Sequence, residues 1–380
     1  MQSAEFVVIG SGIIGSATTY YLARAGADVI LVDRAGPNAG GTASQACAGG
    51  VRQQGRAPEE IPLAIYAIGL WDGLEAELEA DLHYRRDGMT VSTDDENLIS
   101  VLQKRVSTEQ ALGLDISLIP QKELHELIPG LSSRMIAGSY CPTDGHADPL
   151  RTIDAFVRSA QRLGARVKWQ CPVERIITTK DSVAAVQTSG EQINCRQVVL
   201  AAGYWSRALA ESVGLDLPLT PYTLQMMVTA RRSHKLGQVL GWLGHGISLK
   251  QVPSGGFVIG GGWPGYGDPE AYRTHLLPGS MAKSAKTMVD LYPALAGIPV
   301  VRSWVGIEAF CKDEMQIIGP VPKVKGLVLA TGFSGHGFGI GPGVGALIAQ
   351  YLTTGTMPAK LKPFGYERFN KDVGEKGKKK

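Results

Sequence analysis

The hydrophobic pattern of the first 33 residues predicts a β-α-β unit. Residues 6–9 are four consecutive apolar positions, three of them β-branched, which is typical of a strand buried on both faces. From Ile14 onwards apolar residues recur at helical spacing until Gly26, and a second apolar run then ends at Asp33. We therefore expect a strand, a helix and a second, parallel strand.

Glycines between the first strand and the helix give this unit a candidate ligand. Gly10, Gly12 and Gly15 follow the G-x-G-x-x-G spacing. In such a turn the first glycine permits the bend, the second lets backbone N–H groups approach a pyrophosphate, and the third lets the helix lie close to the strand. Asp33 comes 18 residues after Gly15, close to the spacing of about 20 at which an acid binds an adenosine ribose. The unit predicts a dinucleotide site, and a simple tight turn is the alternative.

Two further glycine-rich loops each come after a predicted strand, as the first glycine-rich turn does. The first, residues 40–50, carries the hydroxyls of Thr42 and Ser44, which could lie along a phosphate or a flat ring system; a flexible surface loop is the alternative. The second, residues 333–342, follows an apolar strand of residues 326–332 and precedes a helix expected from Gly343 to Leu352. The positive N-terminus of that helix could stabilise an anionic ring.

The remaining pattern predicts a mixed α/β (α+β) fold with two domains. A length of 380 residues suits two or three domains of about 150 residues each. Nucleotide-type α/β alternation lapses near residue 84, resumes near 146, and gives way to strand-rich sequence after 221. We predict a Rossmann-type dinucleotide-binding domain from residues 1–83, 146–220 and 313–380, and a mostly antiparallel β substrate domain from residues 84–145 and 221–312.

Composition narrows the classes of partner and location. A net charge of +3 and a pI near 8.5 give no sign of a nucleic-acid partner, and Lys376, Lys378, Lys379 and Lys380 read as a solvated tail. Five scattered cysteines without a C-x-x-C spacing predict neither a disulfide framework nor a metal site, and fit a reducing compartment. No apolar run is long enough to span a membrane and no signal peptide is evident, so a cytoplasmic protein is expected, with peripheral membrane contact open.

Taken together, the glycine-rich stretches resemble those of the D-amino-acid oxidase family of FAD-dependent oxidoreductases, over residues 6–352. The matching motifs are Gly10-x-Gly12-x-x-Gly15 with Asp33, residues 42–50, residues 199–206, Trp304-x-Gly306 through 319, and Gly335-His336-Gly337-Phe338-Gly339. The resemblance implies noncovalent FAD. The residues expected to bind it are Gly10, Gly12, Ile13, Ile14, Gly15, Asp33, Arg34, Thr42, Ala43, Ser44, Ala48, Gly49, Gly50, Val173, Ala202, Gly203, Trp205, Gly332, Gly335, His336, Gly337, Phe338, Gly339 and Ile340.

Within that family the chain looks most like the β subunits of heteromeric bacterial dehydrogenases acting on D-hydroxyproline, opines or sarcosine-like amines. Three departures from the oxidases support this. Glu308 stands where their carboxylate-binding arginine is, Gly306 where a cysteine attaches flavin, and Val258 where a lysine assists reaction with dioxygen. The resemblance therefore implies poor oxygen use and electron transfer to an α subunit, with FMN at the interface and an iron-sulfur centre in the partner.

The implied reaction is oxidation of a C–N bond of a small amine or amino acid by hydride transfer to flavin N5, followed by imine hydrolysis. Three candidate catalytic residues each have a second interpretation. His336 could hydrogen-bond flavin or substrate or only cap its loop; Arg52 could bind a carboxylate or form a domain-interface salt bridge; Glu308 could bind a basic group or pair with an arginine.

Several alternatives remain open from the residues alone. An NAD-dependent dehydrogenase explains residues 10–33 but not the later glycine-rich loops, and a self-sufficient oxidase or an electron-transfer subunit with little activity of its own would share the fold. His146 lacks partners at metal-ligand spacing and is expected in a turn. Tyr222, Met226 and Trp242 could line the pocket or fill a core.

Overall fold

The computed structural model describes residues 2–37 and 39–371. The lysines at 376 and 378–380, expected to form a solvated tail, lie outside the described residues. In the part of the chain that the structure describes, no helix combines the length and the apolar character needed to cross a membrane.

The strands and helices follow one another along the whole chain. The strands are β1 (Gln2–Ile9), β2 (Val29–Val32), β3 (Gly50–Val51), β4 (Met89–Thr93), β5 (Ser117–Pro120), β6 (Ala137–Cys141), β7 (Gly145–His146), β8 (Arg166–Lys168), β9 (Val173–Thr179), β10 (Ser182–Thr188), β11 (Gln192–Leu200), β12 (Leu219–Thr229), β13 (Val239–Trp242), β14 (His245–Gln251), β15 (Phe257–Gly260), β16 (Tyr266–Asp268), β17 (Arg273–His275), β18 (Val300–Cys311), β19 (Ile317–Val321) and β20 (Val324–Thr331). The α-helices are α1 (Ile13–Arg24), α2 (Ala43–Ala46), α3 (Ile61–Leu78), α4 (Ile99–Ala111), α5 (Gln121–Leu127), α6 (Pro149–Arg162), α7 (Ser206–Glu211), α8 (Pro278–Leu291) and α9 (Gly337–Thr354).

The first sheet confirms the Rossmann-type part of the prediction. Its strands lie in the order β19-β20-β10-β11-β1-β2-β8, with β9 beside β10, and β1 pairs in parallel with both β2 and β11. Apolar residues of α1, α3, α6 and α9 form a core with one face of the sheet, while those of α7 pack on the other. Helices therefore cover both faces, which explains why residues 6–9 are apolar without alternation.

The second sheet is mostly antiparallel, as expected for the second half of the fold. Its strands lie in the order β18-β12-β15-β14-β13-β4-β6-β5, and only the β13–β4 pair is parallel among the pairings of this sheet in the described residues. Apolar residues of α5 and α8 pack against it to form a separate core. One face is thus covered by helices, and the sheet can present its other face to a neighbouring element.

The two sheets draw on different stretches of the chain. Strands of the first come from residues 2–32, 166–200 and 317–331, and those of the second from residues 89–141 and 219–311. In this alternation β12 begins two residues before the expected domain boundary at 221. The division itself stays a prediction.

The last helix begins earlier than its sequence suggests. We expected a glycine-rich loop up to Pro342, whereas α9 already begins at Gly337. Glycine has low intrinsic helix propensity, but here close packing overrides it. A Cβ at Gly341 would lie 2.4 Å from Ile13 Cγ1, and one at Gly343 would lie 2.5 Å from Ala67 Cβ. The glycines therefore let α9 approach α1 and α3 at short range.

Candidate functional site

One cavity collects nearly all of the residues expected to bind the cofactor. It has a volume of about 980 Å³ and is lined by loops that follow the carboxyl ends of β1, β2, β11 and β20, together with residues of β12 and β18 from the second sheet. Ligands of open α/β sheets characteristically bind at this end of the strands. The expected residues that line it are Gly10, Gly12, Ile13, Ile14, Asp33, Arg34, Thr42, Ala43, Ser44, Ala48, Gly49, Gly50, Arg52, Val173, Ala202, Gly203, Trp205, Glu308, Gly332, Gly335, His336, Gly337, Phe338 and Gly339.

Two of the residues expected to bind the cofactor, Gly15 and Ile340, do not line the cavity, and their part in cofactor binding stays a prediction. The side chain of Ile340 is fully buried in the core formed by α1, α3 and α9, because the chain is already helical there. Gly15 packs inward: a Cβ at this position would lie 1.8 Å from the carbonyl oxygen of Gly10. Its place is the close approach of helix to strand rather than the cavity wall.

The turn after β1 has the geometry that a pyrophosphate site needs. Gly10 adopts φ +101°, and a Cβ there would lie 2.5 Å from the carbonyl oxygen of Ala201, so other residues are excluded. Gly12 caps the N-terminus of α1, where the N–H of Ile13 donates to Ser44 Oγ at 3.2 Å. The turn after β1 and the loop of residues 40–50 are thereby joined at the positive end of a helix.

Asp33 lies at the carboxyl end of β2 and is held by its neighbours. Its Oδ2 accepts hydrogen bonds from the backbone N–H and the hydroxyl of Ser11, both at 2.7 Å, and its Oδ1 accepts from the N–H of Ala35 at 2.8 Å. Ser11, which sequence reasoning overlooked, therefore positions the acid. A carboxylate with two oxygens retains further lone pairs for a ribose hydroxyl.

Arg34 is enclosed by aromatic rings at the same end of the cavity. Its guanidinium carbon lies 2.9 Å from the ring centre of Tyr272 and 4.7 Å from that of Trp205. Trp205 Nε1–H also donates to the carbonyl oxygen of Pro269 at 3.0 Å. Glu270 and Tyr272, which the sequence did not single out, line the cavity from the loop of residues 269–272 between the antiparallel strands β16 and β17.

The other end of the cavity is lined in part by the backbone of Gly49 and Gly50. No atom lies within 4 Å of a Cβ built on Gly50, so its backbone borders open space, whereas one on Gly49 would meet Ala147 O at 2.2 Å and Lys250 Nζ at 2.9 Å. The side chain of Lys250 is 2% exposed, and burial lowers its pKa to about 8. Val258, where we expected the lysine of the oxidases, pairs with Lys250 across β14 and β15.

His336 caps the N-terminus of α9 and lines the cavity. Its Nδ1 lies 3.2 and 3.3 Å from the two carboxylate oxygens of Glu60, a fully buried residue. Burial lowers the pKa of His336 to about 4, although the hydrogen bond to Glu60 acts in the opposite direction. The ring is therefore neutral at pH 7. The two interpretations of His336 are compatible, because its backbone caps the helix while its ring borders the cavity.

Arg52 lies beside the cavity without an ion pair among the residues described. Its Nη1 donates to the carbonyl oxygens of Gln54 and Gly55 at 2.7 and 3.1 Å. Its Nε and Nη2 have no protein partner in the described chain, so this edge of the guanidinium can donate to a ligand. Burial lowers the pKa of Arg52, while Asp144, Glu60 and Glu109 counteract this effect.

Glu308 is the acidic group on the opposite wall. It lies on β18, and its Oε1 accepts a hydrogen bond from the N–H of Gly335 at 2.9 Å. Burial raises its pKa to about 7, and the hydrogen bond from Gly335 only partly offsets this shift. No arginine pairs with it within the ranges that the structure describes, which favours a role toward a ligand.

The other residues singled out from the sequence lie in different surroundings, and only some of them line the cavity. His146 was expected in a turn but lies in β7, paired with Gly50, and burial lowers its pKa to about 2. Trp242 fills the core of the second sheet and donates from Nε1 to Asp94, whereas Met226 lines the cavity. Tyr222 is 47% exposed and packs on Phe310. In the described ranges, no cluster of three or more His, Cys, Asp or Glu could hold a metal ion.

The cavity fits an FAD. Its volume lies at the upper end of the range of about 300–1,000 Å³ for cofactor pockets. One end offers a glycine turn, a helix N-terminus and an acid, as an ADP group requires. The other end offers the backbone of Gly49 and Gly50, without side chains, and the N-terminus of α9, which suits a ring system that becomes anionic on reduction.

Comparison with known proteins agrees with this geometry. The family model described as DAO, FAD dependent oxidoreductase, matches residues 5–351. One of the subunits of opine oxidase from Rhizobium meliloti is 26% identical, with 99% of this chain and all of the relative covered, and glycine oxidase from Bacillus subtilis is 29% identical, with 92% of each covered. Mitochondrial dimethylglycine dehydrogenase from mouse is 25% identical over 97% of this chain, which spans only 44% of that relative.

Solved structures extend the agreement to the fold. The crystal structure of L-proline dehydrogenase from P. horikoshii superposes with a TM-score of 0.91, at 25% sequence identity, covering 98% of this chain and 99% of the other. Both sheets and their connecting helices are therefore shared over almost the whole length.

Proposed function

Since the chain belongs to the DAO family of FAD-dependent oxidoreductases, we propose that it oxidises the C–N bond of a small amino acid or secondary amine of the opine, D-hydroxyproline or sarcosine-like kind. FAD, when bound, supplies the acceptor for the hydride that leaves the carbon next to nitrogen. The protein's own part is to bind the amine, orient it and set the charge around it. The proposal rests chiefly on the two opposite charges that border one end of the cavity.

Arg52 is the proposed binding group for the substrate carboxylate. The free Nε and Nη2 form one edge of the guanidinium fork, and two parallel N–H donors match the two oxygens of a carboxylate. Nη1 is already fixed by the carbonyl oxygens of Gln54 and Gly55, so the fork is held in place before a ligand arrives. Fixed donors lower the entropy lost on binding.

Glu308 is the proposed partner of a basic or N–H group on the substrate. A carboxylate at a position where related oxidases have an arginine reverses the charge preference of that wall. Because its pKa is about 7, Glu308 can accept a proton or a hydrogen bond near neutral pH. Binding through Arg52 and Glu308 together favours a substrate that is anionic at one end and basic at the other, as opines are.

We also propose that the chain works as the catalytic β subunit of a heteromeric dehydrogenase. The opine oxidase relative is named as one of the subunits of its enzyme, which supports an α-subunit partner for this chain. In this proposal electrons leave to the α subunit, through FMN at the interface and an iron-sulfur centre in the partner. If the chain had little activity without its partner, it would serve mainly as an electron-transfer subunit.

A self-sufficient oxidase is the second candidate, and Lys250 favours it. The prediction of poor oxygen use placed Val258 where the oxidases have a lysine, yet Lys250 lies opposite Val258 on β14, with its Nζ 2.9 Å from a Cβ built on Gly49. A buried ammonium can stabilise negative charge that develops on a reduced oxygen species. The 29% identity to glycine oxidase supports the same alternative.

A single anaerobic experiment tests both candidates. The purified yellow protein is mixed with D-proline, D-hydroxyproline, sarcosine, glycine, octopine or nopaline, and the flavin absorbance near 450 nm, an approximate value for this cofactor class, is followed before and after air is admitted. Bleaching with slow recovery in air supports a dehydrogenase subunit. Rapid recovery with peroxide supports an oxidase, and no bleaching by any compound contradicts the proposed substrate class.

A further inference from the structure

Two loops that border the cavity are joined by one buried arginine. Arg56 Nε donates to the carbonyl oxygen of Arg52 at 3.0 Å, while its Nη1 and Nη2 donate to the carbonyl oxygen of His336 at 3.3 and 3.2 Å. Arg52 and His336 are 284 positions apart in the sequence, and both line the cavity. The planar fork of Arg56 therefore fixes the distance between the two loops.

Glu60 also takes part in this contact. It lies in the short helical turn, residues 58–60, that directly precedes α3. Its carboxylate lies 3.6 Å from Arg56 Nη1, accepts from the N–H of Ala57 at 3.2 Å and meets Nδ1 of His336. Its side chain is 1% exposed. Burial alone would raise the pKa of Glu60, but the hydrogen bond from His336 and the charge of Arg56 hold it below the usual value. Glu60 is therefore ionised and can only accept hydrogen bonds.

An ionised carboxylate beside Nδ1 determines where the imidazole carries its proton. A neutral ring has one N–H and one lone pair, and only the N–H form at Nδ1 can bond to an acceptor. We propose that Arg56 and Glu60 act as positioning residues, a buried clip that joins the two loops and holds His336 with its proton on Nδ1, so that Nε2 presents a lone pair to the cavity.

This inference rests on the proposed function and adds to it an orientation for the substrate. An acceptor at Nε2 attracts an N–H donor and disfavours a carboxylate oxygen. With Arg52 binding the carboxylate, His336 then selects the pose in which the amine N–H faces Nε2. Neither Arg56 nor Glu60 needs to touch the substrate for this effect.

The tautomer is measurable without any turnover. Histidine-labelled, FAD-loaded protein is studied by nitrogen-15 NMR, where protonated and unprotonated ring nitrogens have clearly different shifts. The chain has seven histidines, and a His336→Gln variant identifies the signal by its loss. We expect Nδ1 of His336 to carry the proton at pH 7. A proton on Nε2 in the wild-type protein would overturn the inference.

A matched pair of variants tests the cause. In Glu60→Gln we expect the Nε2–H tautomer to become populated and the KM for the amine to rise about tenfold, the loss of one charge-assisted hydrogen bond, with a smaller change in kcat. Glu109→Gln is the control for the tautomer alone, because Glu109 is equally buried and accepts from the N–H of Gly55 but does not contact His336. An unchanged tautomer in Glu60→Gln would contradict the clip even if activity fell.

A second variant separates the two parts of the clip. Arg56→Lys retains the positive charge beside Glu60 but loses the fork that reaches both carbonyl oxygens. We expect the wild-type tautomer with a raised KM, and a changed tautomer would show that Arg56 rather than Glu60 sets it. Because the NMR result does not depend on turnover, a protein with the expected tautomer that oxidises no amine would refute the proposed function and leave this inference standing.

Discussion

Glu308 and Gly335 are joined by a hydrogen bond of 2.9 Å, from the backbone N–H of the glycine to Oε1 of the acid. The contact ties β18 of the second sheet to the loop that precedes α9 of the first half of the fold. It also leaves the second carboxyl oxygen of Glu308 for a ligand. The affinity for substrate should therefore depend on whether the carboxyl group of Glu308 is ionised.

The affinity for a cationic ligand should rise with pH. Glu308 has a pKa of about 7, so it is mostly protonated at pH 6 and mostly ionised at pH 8. Inhibitors with a guanidinium group should bind more tightly as pH rises through 7, and in Glu308→Gln they should bind about 10 to 100 times more weakly at pH 8 with little pH dependence. Flavin absorbance titrations measure the dissociation constant, and a wild-type constant independent of pH from 6 to 8 would contradict the assignment.

Replacing Arg52 with lysine should weaken binding of the carboxylate without removing charge. Lysine lacks the planar fork, so we expect KM to rise about 10 to 100 times for the amino acid substrate. The control is a second ligand, an amine without the carboxylate, for which KM should be the same in the wild type and in Arg52→Lys. If both ligands were affected to the same degree, Arg52 would act through its bonds to Gln54 and Gly55 rather than on the substrate.

Lys250 offers a separate test of oxygen use. Lys250→Met removes the amine at similar length, so anaerobic reduction should keep its rate while reoxidation in air slows by about tenfold or more if the ammonium assists dioxygen. Stopped-flow absorbance separates the two phases. Equal reoxidation rates in both proteins would favour the dehydrogenase subunit.

The same substitution should also change stability in a pH-dependent way. The pKa of Lys250 is about 8 in the folded protein and 10.5 in the unfolded reference, so the buried charge costs free energy at pH 7, and this cost fades as pH rises from 8 toward 10.5. Lys250→Met should therefore raise the free energy of unfolding by roughly 1–3 kcal/mol at pH 7 and by less at pH 10. Denaturant unfolding at the two pH values measures the difference, and a gain that grew with pH would contradict the account.

The close packing of α9 on α1 predicts opposite effects for two glycines. A Cβ at Gly345 would lie 2.7 Å from the backbone of Ala17 and Thr18, whereas one at Gly69 in α3 meets no atom within 4 Å. Gly345→Ala should lower the free energy of unfolding by about 1–3 kcal/mol, and Gly69→Ala should raise it by about 0.5–1 kcal/mol through helix propensity. Thermal unfolding of the two variants compares them directly, and a stabilised Gly345→Ala would contradict the packing.

Local patterns in the sequence predicted the nucleotide end of the site well. The strand, turn and helix of residues 6–24 and the acid at 33 depend on contacts between near neighbours, so spacing alone identifies them. The start of α9 was placed wrongly because its glycines favour a loop locally and are helical only through packing on Ile13 and Ala67.

Residues brought in by distant contacts could not be predicted in this way. Glu60 reaches His336 across 276 positions, and Tyr272 reaches Arg34 from the loop between β16 and β17, which form a separate two-stranded sheet. The lysine was sought at Val258, and the structure has Lys250 opposite it on the paired strand, a register that no local pattern encodes.

The central claim, oxidation of a C–N bond of a carboxylate-bearing amine, is tested most directly by one anaerobic turnover. The FAD-loaded protein is mixed with the best substrate of the panel and with its α-deuterated form, while the rate of flavin bleaching and the yield of carbonyl product are measured. We expect one carbonyl compound per flavin reduced and slower bleaching with deuterium. Flavin bleaching without a stoichiometric carbonyl product would contradict it.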